Sequence, residues 1–395
     1  MNFIGIEVTT IINALFIVAN MRVSNGVTSV IMNNYDILQD SGFLIDFCAL
    51  LDRPSPYIEY IEQKGSLYSI FPQNQDNTNA DYSKALNYLM DILKRKRYDI
   101  VHVHIEGKFA AIALKAAKKS GVPYRVYHSH NPLYYDSIRS FARSYYFRSR
   151  CLKYANEYYA CSTHAGKSVF GNRHFWLVRN TIDTQRYRFN KKLRNNIRKE
   201  FVCNEKTLVV GTVCRQTPQK NPFYTIDIWN EIYKKNPDVL FIWIGTGELE
   251  KEVKKYAEEV LPKEVVRFLG NRTDVEELYS FMDIFLLPSL YEGLGIVYIE
   301  AQTCGTLTFA SNNVPRDTEV TDRIHYIPLD QSPTSWADII LNVYNQQKYV
   351  RRDQYHLDVL DAGYDSNSNN DFYYAYKSML RGGYANNENT WKGTH

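Results

Sequence analysis

Ser289-Leu290-Tyr291-Glu292-Gly293-Leu294-Gly295-Ile296-Val297-Tyr298-Ile299-Glu300-Ala301 follows an apolar run, Ile284 to Leu287, that Pro288 closes. The pattern predicts a buried strand, a turn, a glycine-containing loop and then a helix starting near Gly295. A loop that opens a helix after a parallel strand offers backbone N–H groups without intrahelical partners, at the positive end of the helix dipole, and so suits a phosphate. Glu292 sits in the loop. Glu300 lies further along the helix between apolar Ile299 and Ala301, where a carboxylate can accept from two adjacent hydroxyls. A phosphate cradle beside a diol acceptor points to a nucleotide-sugar site.

Similar strand-then-helix units extend in both directions. Apolar runs at 15–19, 44–49, 67–70, 100–104, 124–128 and 158–160 read as strands, with helical patterns such as Tyr82–Arg95 and 109–119 between them. After a polar stretch at 183–204 the pattern restarts with strands at 208–213, 240–244, 265–269, 284–287 and 307–309 and helices at 223–235, 249–259 and 336–344. Such alternation predicts α/β architecture: two doubly wound, Rossmann-like domains facing across a cleft. The chain's 395 residues suffice for two cores. The expected domains are 1–183 and 184–365. Residues 366–395 are expected to hold a helix near Asp371–Leu380 that crosses back to the first domain, followed by a tail.

Six cysteines without a close pair suit packing as small hydrophobes and argue against a disulfide frame or zinc ribbon. Met1 to Asn20 carries Glu7 and Asn13 and lacks a basic start, so we expect an extension into the first strand rather than a leader. From Lys94 to Arg179 the chain holds 17 basic and 4 acidic residues, a concentrated positive region in the first half. Within it, 139–153 reads RSFARSYYFRSRCLK, five basic residues interleaved with aromatics and no acid. A helix of this kind fits an anionic membrane face. Nucleic acid would suit the charge but leaves the Glu292/Glu300 loop unexplained.

Ligands of doubly wound sheets lie beyond the carboxyl ends of the strands. Arg215 and Lys220 follow one strand and could neutralise a diphosphate. Gly245 and Gly247 follow the next, where the absence of side chains permits close backbone approach; Asn271 and Arg272 follow a third. In the first half Gly26, in Ser24-Asn25-Gly26-Val27, opens a helix after the first strand. His102, His104, His128 and His130 mark two strand ends. Four histidines invite a metal, but no carboxylate cluster accompanies them and Asp-x-Asp occurs nowhere, so no metal is expected.

Together these residues resemble glycosyltransferase family 4 of the GT-B fold, in particular bacterial capsular and exopolysaccharide enzymes. The resemblance rests on Val101-His102-Val103-His104, His128-Ser129-His130-Asn131, Ala160-Cys161-Ser162, Arg179-Asn180-Thr181-Ile182-Asp183, the Arg215/Lys220 pair and 288–305. It implies an acceptor-binding first domain, a donor-binding second domain, and retaining, metal-independent transfer with no cofactor. The donor would be a nucleoside-diphosphate sugar, with uridine favoured, and the acceptor a lipid-linked saccharide. The implied location is the cytoplasm, peripheral to the plasma membrane. By position, Arg215 and Lys220 would hold the diphosphate with the backbone N–H groups of Leu294, Gly295 and Ile296. Glu300 would bind the ribose, Glu292 the sugar, and Asn271 and Arg272 would border the base. His130 aligns with the family's histidine near the anomeric carbon, with His128 beside it as the other candidate. Asn25-Gly26 replaces the family's paired glycines, and Asn180-Thr181-Ile182-Asp183 lacks its glycine. A non-catalytic partner subunit and an epimerase of the same fold are the alternatives.

Overall fold

Strands buried on both faces, separated by helices with one apolar stripe, assemble into two parallel sheets. The computed structural model describes residues 11–22, 26–74, 80–133 and 137–381 and the backbone of 390–391. Ser24 and Asn25 of the first loop therefore lie outside the described residues, as does most of the expected tail. The chain forms two compact units, Met1–Asn180 with Asn370–His395, and Thr181–Asn369.

The first unit runs β1 (Ile12–Val18), α1 (Gly26–Asp40), β2 (Phe43–Ala49), α2 (Pro56–Gln63), β3 (Tyr68–Ile70), α3 (Tyr82–Arg95), β4 (Ile100–Val103), α4 (Gly107–Lys119), β5 (Tyr124–Ser129), α5 (Ile138–Tyr154), β6 (Glu157–Ala160), α6 (Thr163–Phe170) and β7 (Phe175–Leu177). The second runs α7 (Lys191–Glu200), β8 (Leu208–Val213), α8 (Pro222–Lys235), β9 (Val239–Ile244), α9 (Glu250–Val260), β10 (Val266–Gly270), α10 (Val275–Phe281), β11 (Ile284–Leu287), α11 (Ile296–Thr303), β12 (Leu307–Ser311), β13 (Ile324–Ile327), α12 (Pro333–Gln347) and α13 (Tyr355–Asp361). The chain then adds α14 (Asp371–Leu380) and β14 (Thr390–Trp391) to the first unit.

Helix starts follow local chemistry. Asp81 accepts from Ser83 N at 2.9 Å and caps α3. Ser137 and Ser140 form a reciprocal capping box at α5, and each such cap satisfies amides that the first turn leaves unpaired. Every residue of β8 and β9 is buried, as parallel strands covered by helices require.

Strand order is β3-β2-β1-β4-β5-β6-β7 in the first unit, with β14 antiparallel at the β7 edge, and β10-β9-β8-β11-β12-β13 in the second. In both, the order reverses beside the unit's first strand. The reversal leaves a crevice at the carboxyl ends of β1 and β4, and of β8 and β11. α14 buries Phe372, Ala375, Tyr376 and Met379 in the core that also holds Phe16, Phe43, Tyr159 and Trp176. Arg179 anchors its first turn through an ion pair to Asp371 at 3.0 Å.

The polar segment 183–204, where the pattern restarts, is itself partly helical. It contains α7, whose Arg194 and Arg198 point inward to Asp283. Arg198 is buried and also donates to the Asn204 and Thr207 carbonyls at 2.5 and 2.6 Å. Part of the charge in this polar stretch thus enters partly buried pairing. All six cysteines are free, and all but the half-buried Cys203 are buried.

Candidate functional site

In the second unit β8 and β11 are neighbours, so the loops after them converge. Leu290 N donates to the Gln219 carbonyl at 2.8 Å, and Gln219 Nε2 donates to the Tyr291 carbonyl at 3.0 Å. This lacing brings Lys220 Nζ within 2.6 Å of Glu292 Oε1, to which Ser289 Oγ also donates at 2.6 Å. Glu292 is only 4 % exposed. Tyr298 OH donates to the Leu287 carbonyl at 2.8 Å and tethers the following helix to the strand end. A buried ion pair of this kind holds position rather than adding stability, and removing one partner costs about 3–5 kcal/mol. Arg215 differs: it is exposed and enters no ion pair among the described residues. The loop thus offers one engaged cation and one open one.

Gly295 caps α11 with φ +81°, and a Cβ there would sit 2.6 Å from Tyr298 Cδ2, so glycine is required twice over. Leu294 is buried, while Ile296 begins the helix, whose first amides lack intrahelical carbonyls. Glu300 accepts from Tyr279 OH at 2.8 Å. Burial pushes its carboxyl up to about 7, against the opposing hydrogen bonds from Tyr279 and Tyr187.

The two other glycines have an internal explanation. A Cβ on Gly245 would lie 2.2 Å from the Cys214 carbonyl oxygen, and one on Gly247 would lie 2.3 Å from that of Gln216. They let the β9 loop rest against the β8 loop. Between them Thr246 Oγ1 donates to Asn271 Oδ1 at 3.3 Å. Arg272 turns instead to Asp274, in a two-pronged pair at 2.8 and 2.5 Å. Gln216 is fully buried, and neither of its amide atoms has a partner among the described residues.

In the first unit the crevice is lined by imidazoles, and Glu106, just beyond the end of β4, has its carboxyl pushed up to about 7 by burial against a hydrogen bond from the Asn131 backbone. His102 on β4 and His128 on β5 lie on one face with His104 and His130 just beyond the strand ends. The rings stack along each strand, with centroids 4.1 Å apart for His102 and His104 and 4.1 Å for His128 and His130. Across the strands His102 Nε2 lies 3.1 Å from His128 Nδ1, and His104 Nδ1 lies 3.0 Å from His130 Nε2. Phe16, Phe372, Tyr159 and Tyr376 enclose them. Burial pushes all four imidazoles well down from their ordinary value, His130 to about 3. They are therefore neutral at physiological pH. His102, His104 and His128 place ligand atoms within 4.8 Å of one another, the one group among the described residues with metal-binding composition. Gly26 is exposed, and a Cβ there would meet no atom within 4 Å, so packing does not require a glycine.

α5 presents Ile138, Phe141, Tyr145 and Tyr146 to solvent. Beside them Tyr145, Arg148, Ser149, Leu152, Lys153 and Arg173 line a shallow concavity of about 390 Å³. Among the described residues no helix is long and apolar enough to cross a membrane.

Two family models divide the chain as the fold does. One described as "Glycosyltransferase Family 4" matches residues 24–186, and one described as "Glycosyl transferases group 1" matches residues 194–355. The chain is a GT4-like glycosyltransferase of the GT-B fold. This glycosyltransferase is 26% identical over 326 residues to "Putative glycosyltransferase EpsF" of Bacillus subtilis, covering 80% of this chain and 83% of the relative. It is also 26% identical over 308 residues to an Escherichia coli protein, "UDP-Gal:alpha-D-GlcNAc-diphosphoundecaprenol alpha-1,3-galactosyltransferase", covering 74% and 77%. Its fold matches that of Anabaena HepE, crystallised in complex with UDP-glucose. The TM-score is 0.73 at 18% identity, over 93% of this chain and 99% of that one.

Sequence patterns did not single out Gln219, Tyr279 or Tyr376 as site residues. Gln219 and Tyr376 reach their partners, Tyr291 and His102, across 72 and 274 residues, and no local spacing signals that. Ser289 lay within the deciding stretch, where a hydroxyl three residues before a carboxylate was a usable signal.

Proposed function

We propose that this glycosyltransferase moves a hexosyl or N-acetylhexosaminyl unit from a nucleoside-diphosphate sugar, UDP-sugars first, to a lipid-linked saccharide during bacterial polysaccharide assembly. Transfer retains the anomeric configuration and uses no metal. The observation that carries the proposal is the Lys220–Glu292 pair beside the open Arg215, at the reversal of strand order in the second unit. The relatives named above support the choice of a UDP-linked donor and a diphosphate-lipid-linked acceptor.

In the proposed reaction the bond from the anomeric carbon to the diphosphate oxygen breaks, and the acceptor hydroxyl bonds to that carbon from the same face. Its proton passes to the departing oxygen. Arg215, Lys220 and the N–H groups of Leu294, Gly295 and Ile296 stabilise the charge that develops on the diphosphate. Lys220 exchanges Glu292 for a phosphate oxygen, and this frees the carboxylate for the sugar hydroxyls. Ionised Glu300 accepts from the ribose, with Gly245, Gly247, Asn271 and Arg272 bordering the nucleotide. His128 and His130 of the first unit recognise the sugar, Gly26 begins the acceptor loop, and the basic aromatic face of α5 seats the protein on anionic lipid at the cytoplasmic face of the membrane.

Calorimetric titration with UDP, GDP and ADP, each with and without EDTA, tests the proposal. Binding of one nucleotide that EDTA leaves unchanged is the expected result. Binding of none, or binding abolished by EDTA, overturns it.

A further inference from the structure

Two phenols hold the Glu300 carboxylate. Tyr279 on α10 is fully buried, and its hydroxyl donates to Glu300 Oε2 at 2.8 Å. Tyr187, in the segment before α7, donates a second hydrogen bond to the same carboxylate, and its ring centroid lies 5.9 Å from that of Tyr279. Both phenols keep their protons, because burial first and then the Glu300 charge push them up from their ordinary value. The Tyr279 backbone is fixed as well: its carbonyl accepts from Arg352 Nη2 at 2.9 Å and from Thr306 Oγ1 at 3.0 Å. Glu300 itself is half-buried, which leaves it within reach of a ligand.

An ionised carboxylate has about four acceptor sites and no donor. The phenols take two and leave as many for a ligand as a vicinal diol has hydroxyls. A carboxylate pinned at two points cannot turn without breaking a charge-assisted hydrogen bond. The same bonds favour the charged form and oppose the burial that pushes Glu300 up to about 7. Glu276 on α10 adds a smaller push in the direction of burial, and Arg186 a smaller pull against it. Those two pair with each other at 2.6 Å. Arg352, which precedes α13, is spent on the Tyr279, Met282 and Cys304 carbonyls.

We infer that Tyr279 and Tyr187 are positioning residues for nucleotide recognition: pinned between them, Glu300 reads both hydroxyls of the ribose and selects a ribonucleotide over one that lacks the diol. The selection rests on the proposed role of Glu300; the pinning does not. Tyr187 brings the polar segment 183–204 into the donor site, although nothing in its local pattern marks it as a ligand-binding stretch. All the residues involved belong to the second unit.

The test is calorimetry with UDP and 2′,3′-dideoxy-UDP between pH 6 and 8.5, on the full chain as wild type, Tyr279→Phe and Tyr187→Phe. Both variants retain the ring and lose only the hydroxyl. The ratio of the two affinities cancels the titration of the diphosphate, which the probes share. In wild type the ratio should favour UDP by about tenfold or more above pH 7 and shrink below it. Each variant should move that curve to higher pH by about one unit. Preference for UDP then drops at pH 7 and returns at pH 8.5, a recovery that a merely damaged site would not show. Curves that coincide in all three proteins, or a loss that high pH does not restore, overturn the inference. Equal binding of the two probes by wild type also overturns it, and that result needs no variant to fold. Carboxyl-carbon NMR of ¹³C-glutamate-labelled protein, with Glu300 assigned through Glu300→Gln, follows the pinning without nucleotide. The Glu300 midpoint should rise in both phenylalanine variants, and an unmoved midpoint overturns the pinning. A raised midpoint with no binding of UDP, GDP or ADP would keep the pinning and overturn the proposed function, and the ribose reading with it.

Discussion

Where strand order reverses, the second unit holds Lys220 and Glu292 at 2.6 Å with Arg215 exposed beside them, whereas the first holds four neutral imidazoles behind aromatic rings. The two sheets share one order around that point, so topology accounts for the place of the crevice but not for its chemistry. One unit retains charge near its core by pairing it. The other removes charge by desolvation, because an imidazolium among Phe16, Phe372 and Tyr159 would be buried without a counter-ion. A crevice built on paired charge suits an anionic ligand, and one built on neutral donors and acceptors suits an uncharged polyol.

The largest expected effect tests the charged side. Arg215→Ala should lower turnover by about 10²–10³-fold, the loss typical of one preorganised group at a developing oxyanion, with the melting temperature unchanged because the side chain is exposed. Intact turnover would break the assignment. Next comes acid stability. The folded pKa of each crevice histidine lies below its unfolded value of 6.5. Below that pH the unfolded chain binds more protons, so stability is complete above about 6.5 and falls as pH drops. Each histidine adds up to about 1.4 kcal/mol per pH unit. Hydrogen exchange between pH 7 and 5 should therefore accelerate at β4 and β5 before β8 and β9. Equal acceleration in both sheets would erase the contrast.

Glu300 should respond with the opposite sign. Its folded value of about 7 exceeds its unfolded one. The folded state therefore holds the extra proton below pH 7, and this group's contribution to stability declines as pH rises through that window. With Glu300 in its proposed role on the ribose, nucleotide affinity should climb by up to about tenfold per pH unit below 7 and level off above it. Calorimetry on Glu300→Gln should give a flat profile. The smallest effect is expected at α5. Arg139→Glu with Arg143→Glu should weaken sedimentation with phosphatidylglycerol vesicles by about tenfold or more, at roughly 1 kcal/mol per charge, and leave phosphatidylcholine controls unchanged.

Much of the fold was legible because parallel strands buried on both faces read as continuous apolar runs: β8, β9 and β11 were evident from sequence, and the predicted spans of α3 and α14 coincide with the observed ones. β7 and β13 were not singled out, although β3 and β11, equally short, were. α7 was hidden because its inward face carries Arg194 and Arg198, whose partner Asp283 lies about eighty-five residues on. In the candidate site, the loop from Ser289 to Glu300 could be read locally. The contact between Lys220 and Glu292 could not, because nothing in spacing joins residues 72 apart. Gly245 and Gly247 were legible as places where backbone comes close, but the backbone they admit is the chain's own.

The return of α14 to the first unit also orders the birth of the protein. The second unit is one continuous segment, Thr181–Asn369, and can close its core while the last residues are still being synthesised. The first unit cannot, because the pocket for Phe372 and Tyr376 among Phe16, Phe43 and Tyr159 stays open until Asp371–Leu380 leaves the ribosome. The half that starts first in translation is therefore the half that finishes last.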